Sequence, residues 1–395
     1  MRHQPVVSIP LRAAVLITLA YSGCSAPAAL PPPVAPAVVE ARETDSYSKL
    51  VVDGKGWLRG DDVALPAERV VARARAGDRL ALAFIRNDST HLALVDLTED
   101  RVQTAPLAPR AREVTLAWRG DYGALAIGFF LREGEAMGAG GLVVVDVASM
   151  DVRPSGCRTS TVVYGWAEED RLVVGDGKTI VAVDAATCAT RSSLSLLKKH
   201  EVAVSPTGRH VAYVLRELEY NREKRAYEPD STLMVAAIDG SNERAVAGSR
   251  YHPRNLSWSP DGTKLAFDVT SQTDPALRHL AVYDVAAGEA TFIVRATDAV
   301  LPSESRPVWS PDGAFMAYDR VFVHGELYQK AIRSLADNAI HLVAEQPMTS
   351  GKLEVWGWTS KSVVLRSSAG QYLIGTPGEP RPLPLDVEGE LVLVF

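Results

Sequence analysis

Trp258-Ser259-Pro260-Asp261-Gly262 runs into the apolar stretch Leu265-Ala266-Phe267-Asp268, and the same arrangement returns as Trp309-Ser310-Pro311-Asp312-Gly313 with Met316-Ala317-Tyr318-Asp319. Each part has a physical reason. Proline presets φ at the second position of a type I turn, serine bonds the backbone from the first, aspartate suits the third, and glycine takes the last, where φ turns positive. Apolar residues on both sides make the turn a hairpin, and the tryptophan before it can pack between adjacent sheets. Two copies in register, with the same flanks, mark a repeating unit rather than an isolated turn.

Fainter copies extend the pattern. Val204-Ser205-Pro206-Thr207-Gly208 before Val211-Ala212-Tyr213 keeps the turn, and Trp118-Arg119-Gly120-Asp121 before Leu125-Ala126-Ile127 keeps the tryptophan. Trp166, Trp358 and Gly77-Asp78 precede further apolar strands. A second element follows each of these: an apolar strand ending in aspartate, then a turn of small residues. It reads Leu94-Val95-Asp96, Val144-Val145-Asp146, Ala182-Val183-Asp184, Ala237-Ile238-Asp239 and Val282-Tyr283-Asp284, with degenerate versions at Leu335-Ala336-Asp337 and Leu373-Ile374-Gly375-Thr376. These aspartates are expected to accept Asx-type bonds across their turns rather than to ring a metal.

Together the two elements give seven units at a mean spacing of about 47 residues, the length of a four-stranded propeller blade. Strands such as Leu142-Val143-Val144-Val145 are short and apolar, and no stretch carries a helical period. The expected fold is therefore all-β, a β-propeller of seven four-stranded blades over 66–395. A six-bladed form requires one weak unit to be something else. An eighth blade would come from Leu50-Val51-Val52 and Trp57-Leu58, within a lead-in (46–65) read instead as the source of a ring-closing strand.

The Trp-Ser-Pro-Asp-Gly repeat with its following strand resembles the TolB-like, WD40-like (PD40) propeller family. The likeness is strongest at 258–268 and 309–319 and partial at 204–213. In that family the repeat is structural and has no fixed catalytic residues to carry over. The resemblance implies an exported scaffold of the bacterial envelope that binds other proteins. The best-known members have a separate domain ahead of the repeats, which is not evident in this sequence, so their particular partnership is not carried over.

The first residues set an expected address. Arg2 and Arg12 flank a positive region, and Ala13 to Ala20 is an apolar core too short to span a membrane. Tyr21-Ser22-Gly23-Cys24 looks like a bacterial lipobox, giving a signal peptide over 1–23 and Cys24 as the acylated first residue of a membrane-anchored lipoprotein. Ordinary cleavage near Ala26 or Ala28 is the other reading, and either one takes the chain out of the cytoplasm, to the periplasm or the cell surface. Residues 24–45, with Pro31-Pro32-Pro33, read as an extended Pro/Ala-rich tether. With Cys24 lipidated, Cys157 and Cys188 remain as a disulfide pair or as two buried thiols.

The 395 residues are 47% hydrophobic and 23% charged, enough for one large core, and the net charge is -6. A mildly acidic chain without a basic stripe is a poor nucleic-acid binder. No Gly-x-Ser-x-Gly elbow, HExxH helix motif or EF-hand loop occurs, so no catalytic residue, cofactor or metal is assigned. His252, His279 and His324 are the histidines that can share one face of the repeats.

Function then falls to the connections between second and third strands and between blades, where variable loops sit on a rigid scaffold. The stretch 216–230, RELEYNREKRAYEPD, supplies Tyr220, Arg222, Arg225 and Tyr227. Between blades, Arg250, Tyr251, His252 and Arg254 add aromatic and basic groups, and tyrosine and arginine are favoured interface anchors. The segment 131–141, LREGEAMGAGG, is a second long connection. The expected function is a membrane-tethered scaffold binding an envelope protein or peptide. The alternatives are a propeller enzyme of hydrolase or lactonase type, and a sensor for polysaccharide or cell-wall material.

Overall fold

The structure is a computed structural model that describes residues 49–394, apart from 53–56, 60–63, 77, 97–100, 110, 132–139, 156, 158–161, 169, 176–177, 222–225, 249–250, 271–276, 293–301, 323–326, 348–352, 360–361, 370, 376–382 and 386–389. Residues 1–45, where a signal peptide, the acylated Cys24 and a tether are expected, and the connection at 132–139 lie outside the described residues.

The chain is an all-β propeller. Seven four-stranded antiparallel blades are each built from consecutive strands. Blade 1 comprises β4 (Arg69–Ala76), β5 (Arg79–Arg86), β6 (Ser89–Asp96) and β7 (Arg101–Pro109). Blade 2 comprises β8 (Ala111–Trp118), β9 (Ala124–Leu131), β10 (Gly140–Asp146) and β11 (Asp151–Pro154). Blade 3 holds β12 (Val162–Glu168), β13 (Arg171–Gly175), β14 (Thr179–Asp184) and β15 (Thr190–Ser195). Blade 4 holds β16 (Lys199–Val204), β17 (His210–Asn221), β18 (Ala226–Ala237) and β19 (Arg244–Ala247). Blade 5 follows with β20 (Arg254–Trp258), β21 (Lys264–Thr270), β22 (Arg278–Asp284) and β23 (Glu289–Phe292). Blade 6 takes β24 (Pro302–Trp309), β25 (Phe315–Phe322), β26 (Leu327–Ser334) and β27 (Ile340–Pro347), and blade 7 takes β28 (Leu353–Trp358), β29 (Val363–Ser367), β30 (Tyr372–Gly375) and β31 (Leu383–Leu385).

The lead-in goes further than supplying one strand. β1 (Lys49–Val52), β2 (Trp57–Arg59) and β3 (Ala64–Pro66) form an eighth four-stranded sheet with β32 (Glu390–Val394), which pairs antiparallel with β1. These are the strands that the eight-blade alternative names, with the last strand completing the set. By contact the chain divides into two compact units. One contains this sheet and blades 1–3, and the other contains blades 4–7.

Second strands are buried almost end to end, as in Leu80–Ile85 and Leu265–Val269, because residues on both faces meet a neighbouring sheet. The repeat tryptophan ends the first strand of its blade and reaches back to the preceding one. Trp118 Nε1 donates to Ala74 O (2.9 Å), Trp166 to Ala117 O (3.0 Å), Trp258 to Ala203 O (3.3 Å) and Trp309 to Ser257 O (2.7 Å). An indole therefore fills the gap between two blades, and its polar edge is satisfied there.

The Ser-Pro-Asp-Gly turns form as the residue chemistry requires. Gly262 N–H donates to Ser259 O and Gly313 N–H to Ser310 O, with φ of 68° and 71° at the glycines. Ser259 Oγ accepts from Lys264 N–H (2.9 Å), and Asp261 Oδ1 accepts from Thr263 N–H (3.0 Å). Ser205-Pro206-Thr207-Gly208 closes the same way. In blade 2 Tyr122 takes the glycine's place at φ 59°. The second element is the expected Asx turn: Asp184 Oδ1 accepts from Ala186 and Thr187 N–H, and Asp146, Asp239, Asp284 and Asp337 bond their own turns likewise.

Cys157 and Cys188 are joined as a disulfide, with their Cα atoms 5.2 Å apart. It ties the connection between blades 2 and 3 to the turn before β15, the last strand of blade 3.

Candidate functional site

In a four-stranded meander the second–third connection and the start of the first strand share one end, opposite the Ser-Pro-Asp-Gly and Asx turns. At that end of blades 4, 5 and 6 the first strand carries a bulge, where two residues oppose one on the partner strand. Register shifts fall between His200 and Ala203, between Arg254 and Ser257, and between Ser305 and Val308. Glu201, Asn255 and Arg306 occupy equivalent places there, three residues before the tryptophan position, at φ of 48°, 55° and 57°. Left-handed backbone at non-glycine residues is uncommon, and three such residues in successive blades form a recurring device.

The bulges are linked by carboxylates. Glu201 Oε2 accepts from Asn255 N–H (3.2 Å). Asp268 Oδ2 accepts from the Asn255 amide (2.6 Å) and from Arg306 N–H (3.1 Å), while its Oδ1 pairs with Arg278 Nε. Arg278 also donates to His252 O (3.0 Å) and Thr270 Oγ1 (3.2 Å). Arg306 Nη1 lies 3.8 Å from Asp319 Oδ2; its side chain is 49% exposed and that of Asp319 is 4%. Asp319 Oδ1 pairs with the buried ammonium of Lys330, and the Tyr328 hydroxyl lies 3.0 Å from that oxygen.

A second branch starts at Glu304, whose Oε1 accepts from Arg320 Nε (3.1 Å); Arg320 donates to Gln329 Oε1 (3.2 Å), and Gln329 Nε2 to Glu345 Oε2 (2.6 Å). Glu304 Oε2 is buried with no hydrogen-bond partner among the described residues.

Burial dominates the titration of this network. It pushes Glu201, Asp268 and Glu304 up, against the pull of Arg216, Arg278 and Arg320 respectively. It pushes Lys330 down, against Asp319, and raises the Tyr328 phenol. Shifted groups of this kind gather at functional sites and also in structural ion-pair networks. Chemically the network holds carboxylates inward and presents guanidinium groups outward. Arg254 and Arg306 are exposed, and Arg216 is exposed with Nη2 3.5 Å from Glu201 Oε1.

The residues expected from sequence fall at or near this end. Tyr251 is half-buried against the core shared by blades 4 and 5; His252 and Arg254 are exposed beside the blade 5 bulge. Arg222, Arg225, Arg250 and His324 lie outside the described residues. Tyr220 and Tyr227 are register partners on β17 and β18. The stretch 216–230, expected as a loop, is mostly strand: β17 and β18 run 12 residues each, where other second strands run 5 to 8. Its acids and apolar residues alternate, and that period of two is the strand signal its high charge conceals. Among the described residues no group of three or more His, Cys, Asp or Glu is arranged to hold a metal ion.

Asn255, Arg278, Arg306, Lys330 and Glu304 were not expected as site residues. Asp268 and Asp319 gave the available signal, an acid closing an apolar run in both strong repeats.

No family model and no curated protein sequence matches the chain. Solved structures do. The β-propeller domain of the Trilobed protease from Pyrococcus furiosus is similar over 81% of this chain and 98% of its own, at 12% identity and a TM-score of 0.52. A eukaryotic initiation factor is similar over 89% and 98%, at 12% identity and 0.51. The tricorn protease is similar over 90% of this chain but 36% of its own, at 14% identity and 0.51. At such identities the likeness establishes the propeller fold alone.

Proposed function

We propose that this protein is an exported propeller scaffold, tethered to the bacterial envelope through lipid on Cys24, that binds an envelope protein or peptide at the bulged ends of blades 4–6. The observation that carries the binding reading is the arginine-bearing network. Arg216, Arg254 and Arg306 stand exposed over buried carboxylates that fix the backbone beneath them. Arginine on a rigid base is a strong interface anchor, because little entropy is lost when it docks. The TolB-like repeat and the lipobox-like Tyr21-Ser22-Gly23-Cys24 support the address.

The test is affinity capture from detergent-solubilised membranes by the tagged full-length chain, beside a variant lacking 216–230 and a Cys24→Ser variant. A specific partner held by the full chain, and membrane release of Cys24→Ser, are expected. A folded full-length protein that captures nothing specific overturns the scaffold reading, and Cys24→Ser still sedimenting with membranes overturns the anchor.

A further inference from the structure

At the bulged ends of blades 5 and 6 two arginines stand exposed beside carboxylates that are already engaged elsewhere. Asp268 is fully buried. Its Oδ1 pairs with Arg278 Nε, and its Oδ2 accepts from the Asn255 amide (2.6 Å) and from Arg306 N–H (3.1 Å). Asp319 Oδ1 holds Lys330 and the Tyr328 hydroxyl, while Oδ2 reaches a single nitrogen of Arg306, at 3.8 Å. A guanidinium carries five N–H donors in a planar fork. Arg306, its side chain 49% exposed, therefore retains donors beyond that one contact. Arg254 is exposed too. It acts on Glu201 through space and forms no ion pair with any described residue.

The two arginines belong to one patch. Asn255, next to Arg254 in the chain, and Arg306 N–H both bond the same oxygen of Asp268, so the two bulges lie within one carboxylate's reach of each other. Arg278 joins the exposed His252 to the same group, since its Nη2 donates to His252 O at 3.0 Å.

The acids of these two bulged ends, among the described residues, face inward: Asp268, Glu304 and Asp319 are all buried. Glu345 and Glu354 are exposed, but they stand on the outer strand of blade 6 and on blade 7. The described surface over the blade 5 and blade 6 bulges is thus cationic in a chain whose net charge is -6.

We propose that this patch takes an acidic segment of the partner protein, its Asp or Glu carboxylates bound by the forks of Arg254 and Arg306. The planar fork matches a carboxylate in two parallel bonds, which a lysine ammonium cannot supply. The chain's overall negative charge opposes the approach of a long polyanion, so a short acidic stretch fits better than a nucleic acid. The inference rests on the scaffold reading and specifies the chemistry of its partner.

The experiment uses the full-length chain in detergent and the labelled peptide acetyl-Glu-Gly-Glu-Gly-Glu-Gly-Glu-amide, read by fluorescence anisotropy beside its glutamine counterpart. The glutamate peptide is expected to bind more tightly, and to weaken several-fold as salt rises from about 0.05 M to about 0.3 M. Arg254→Ala with Arg306→Ala is expected to weaken it about tenfold. Arg306→Lys keeps the charge but loses the fork, and is expected to fall between that double variant and the parent. Arg209→Ala removes an exposed arginine from the turn end of blade 4 and is expected to leave binding unchanged. Equal binding of the two peptides, or equal weakening by Arg209→Ala and the double variant, overturns the inference. So does a Cys24→Ser chain that binds phosphatidylglycerol vesicles through these arginines and not the glutamate peptide, which would give the patch to a lipid surface. The scaffold reading falls separately, only if the full chain captures no envelope partner.

Discussion

Between blades 2 and 3 the first-strand N–H three residues before the tryptophan finds a threonine: Thr115 Oγ1 accepts from Val163 at 2.9 Å. In blades 4–6 the acceptors are carboxylates, Glu201 for Asn255 and Asp268 for Arg306. Both solutions satisfy the same backbone group. A hydroxyl needs no counter-charge, whereas a buried carboxylate draws in Arg278, and Asp319 draws in Lys330 and Arg306. The threonine blades demonstrate that the fold does not require those charges. Their presence in blades 4–6 is what supports a binding role for that end.

The largest difference between the regions is expected on breaking a charge. Asp319→Ala leaves Lys330 buried without its carboxylate and should cost about 3–5 kcal/mol. The paired replacement Asp319→Leu with Lys330→Met should recover most of that loss. Thr115→Val, which leaves Val163 N–H without its acceptor, should cost about 1–3 kcal/mol. Urea unfolding of the variants checks the order; an Asp319→Ala no worse than Thr115→Val breaks the comparison.

The turns sharpen it on a smaller scale. Gly262→Ala puts a Cβ at φ 68°, 2.8 Å from Thr207 Oγ1, and should cost about 1–2 kcal/mol. Tyr122→Gly relieves the same conformation in blade 2 and should gain up to about 1 kcal/mol after the entropy of glycine is counted. Thermal unfolding reads both signs.

The smallest effect is with pH. Burial holds the folded pKa of Glu304 above its ordinary value of 4.5, so the folded state binds that proton more tightly than the unfolded chain. Its contribution favours folding below the ordinary value and is lost as pH rises through the folded one. Glu304→Gln should therefore flatten the fall in melting temperature across that window. An unchanged slope would show that Glu304 stays charged beside Arg320.

How much of this was legible follows from what repeats. Turn geometry is set by adjacent residues, so Trp-Ser-Pro-Asp-Gly and the Asx aspartates identify the hairpins directly. The network has no such signature. Three residues past the second-strand partner of the tryptophan position, successive blades carry Ala83, Gly128, Gly175, Val214, Asp268, Asp319 and Arg366. No one residue type holds that position through all seven blades, aspartate standing there only in blades 5 and 6, and one of the partners of Asp268, the Arg306 N–H, comes from the next blade. The lead-in was legible in part: its strands are those of the alternative eighth blade, but their pairing with residues 390–394, far along the sequence, has no local signal.

The most direct test of the central claim is the double variant Arg254→Ala with Arg306→Ala, measured for both urea stability and envelope-partner capture. If these arginines serve binding, stability should stay within about 1 kcal/mol of the parent, as for exposed ion pairs, while capture is lost. Loss of stability with capture retained would contradict the account and make the arginines part of the fold.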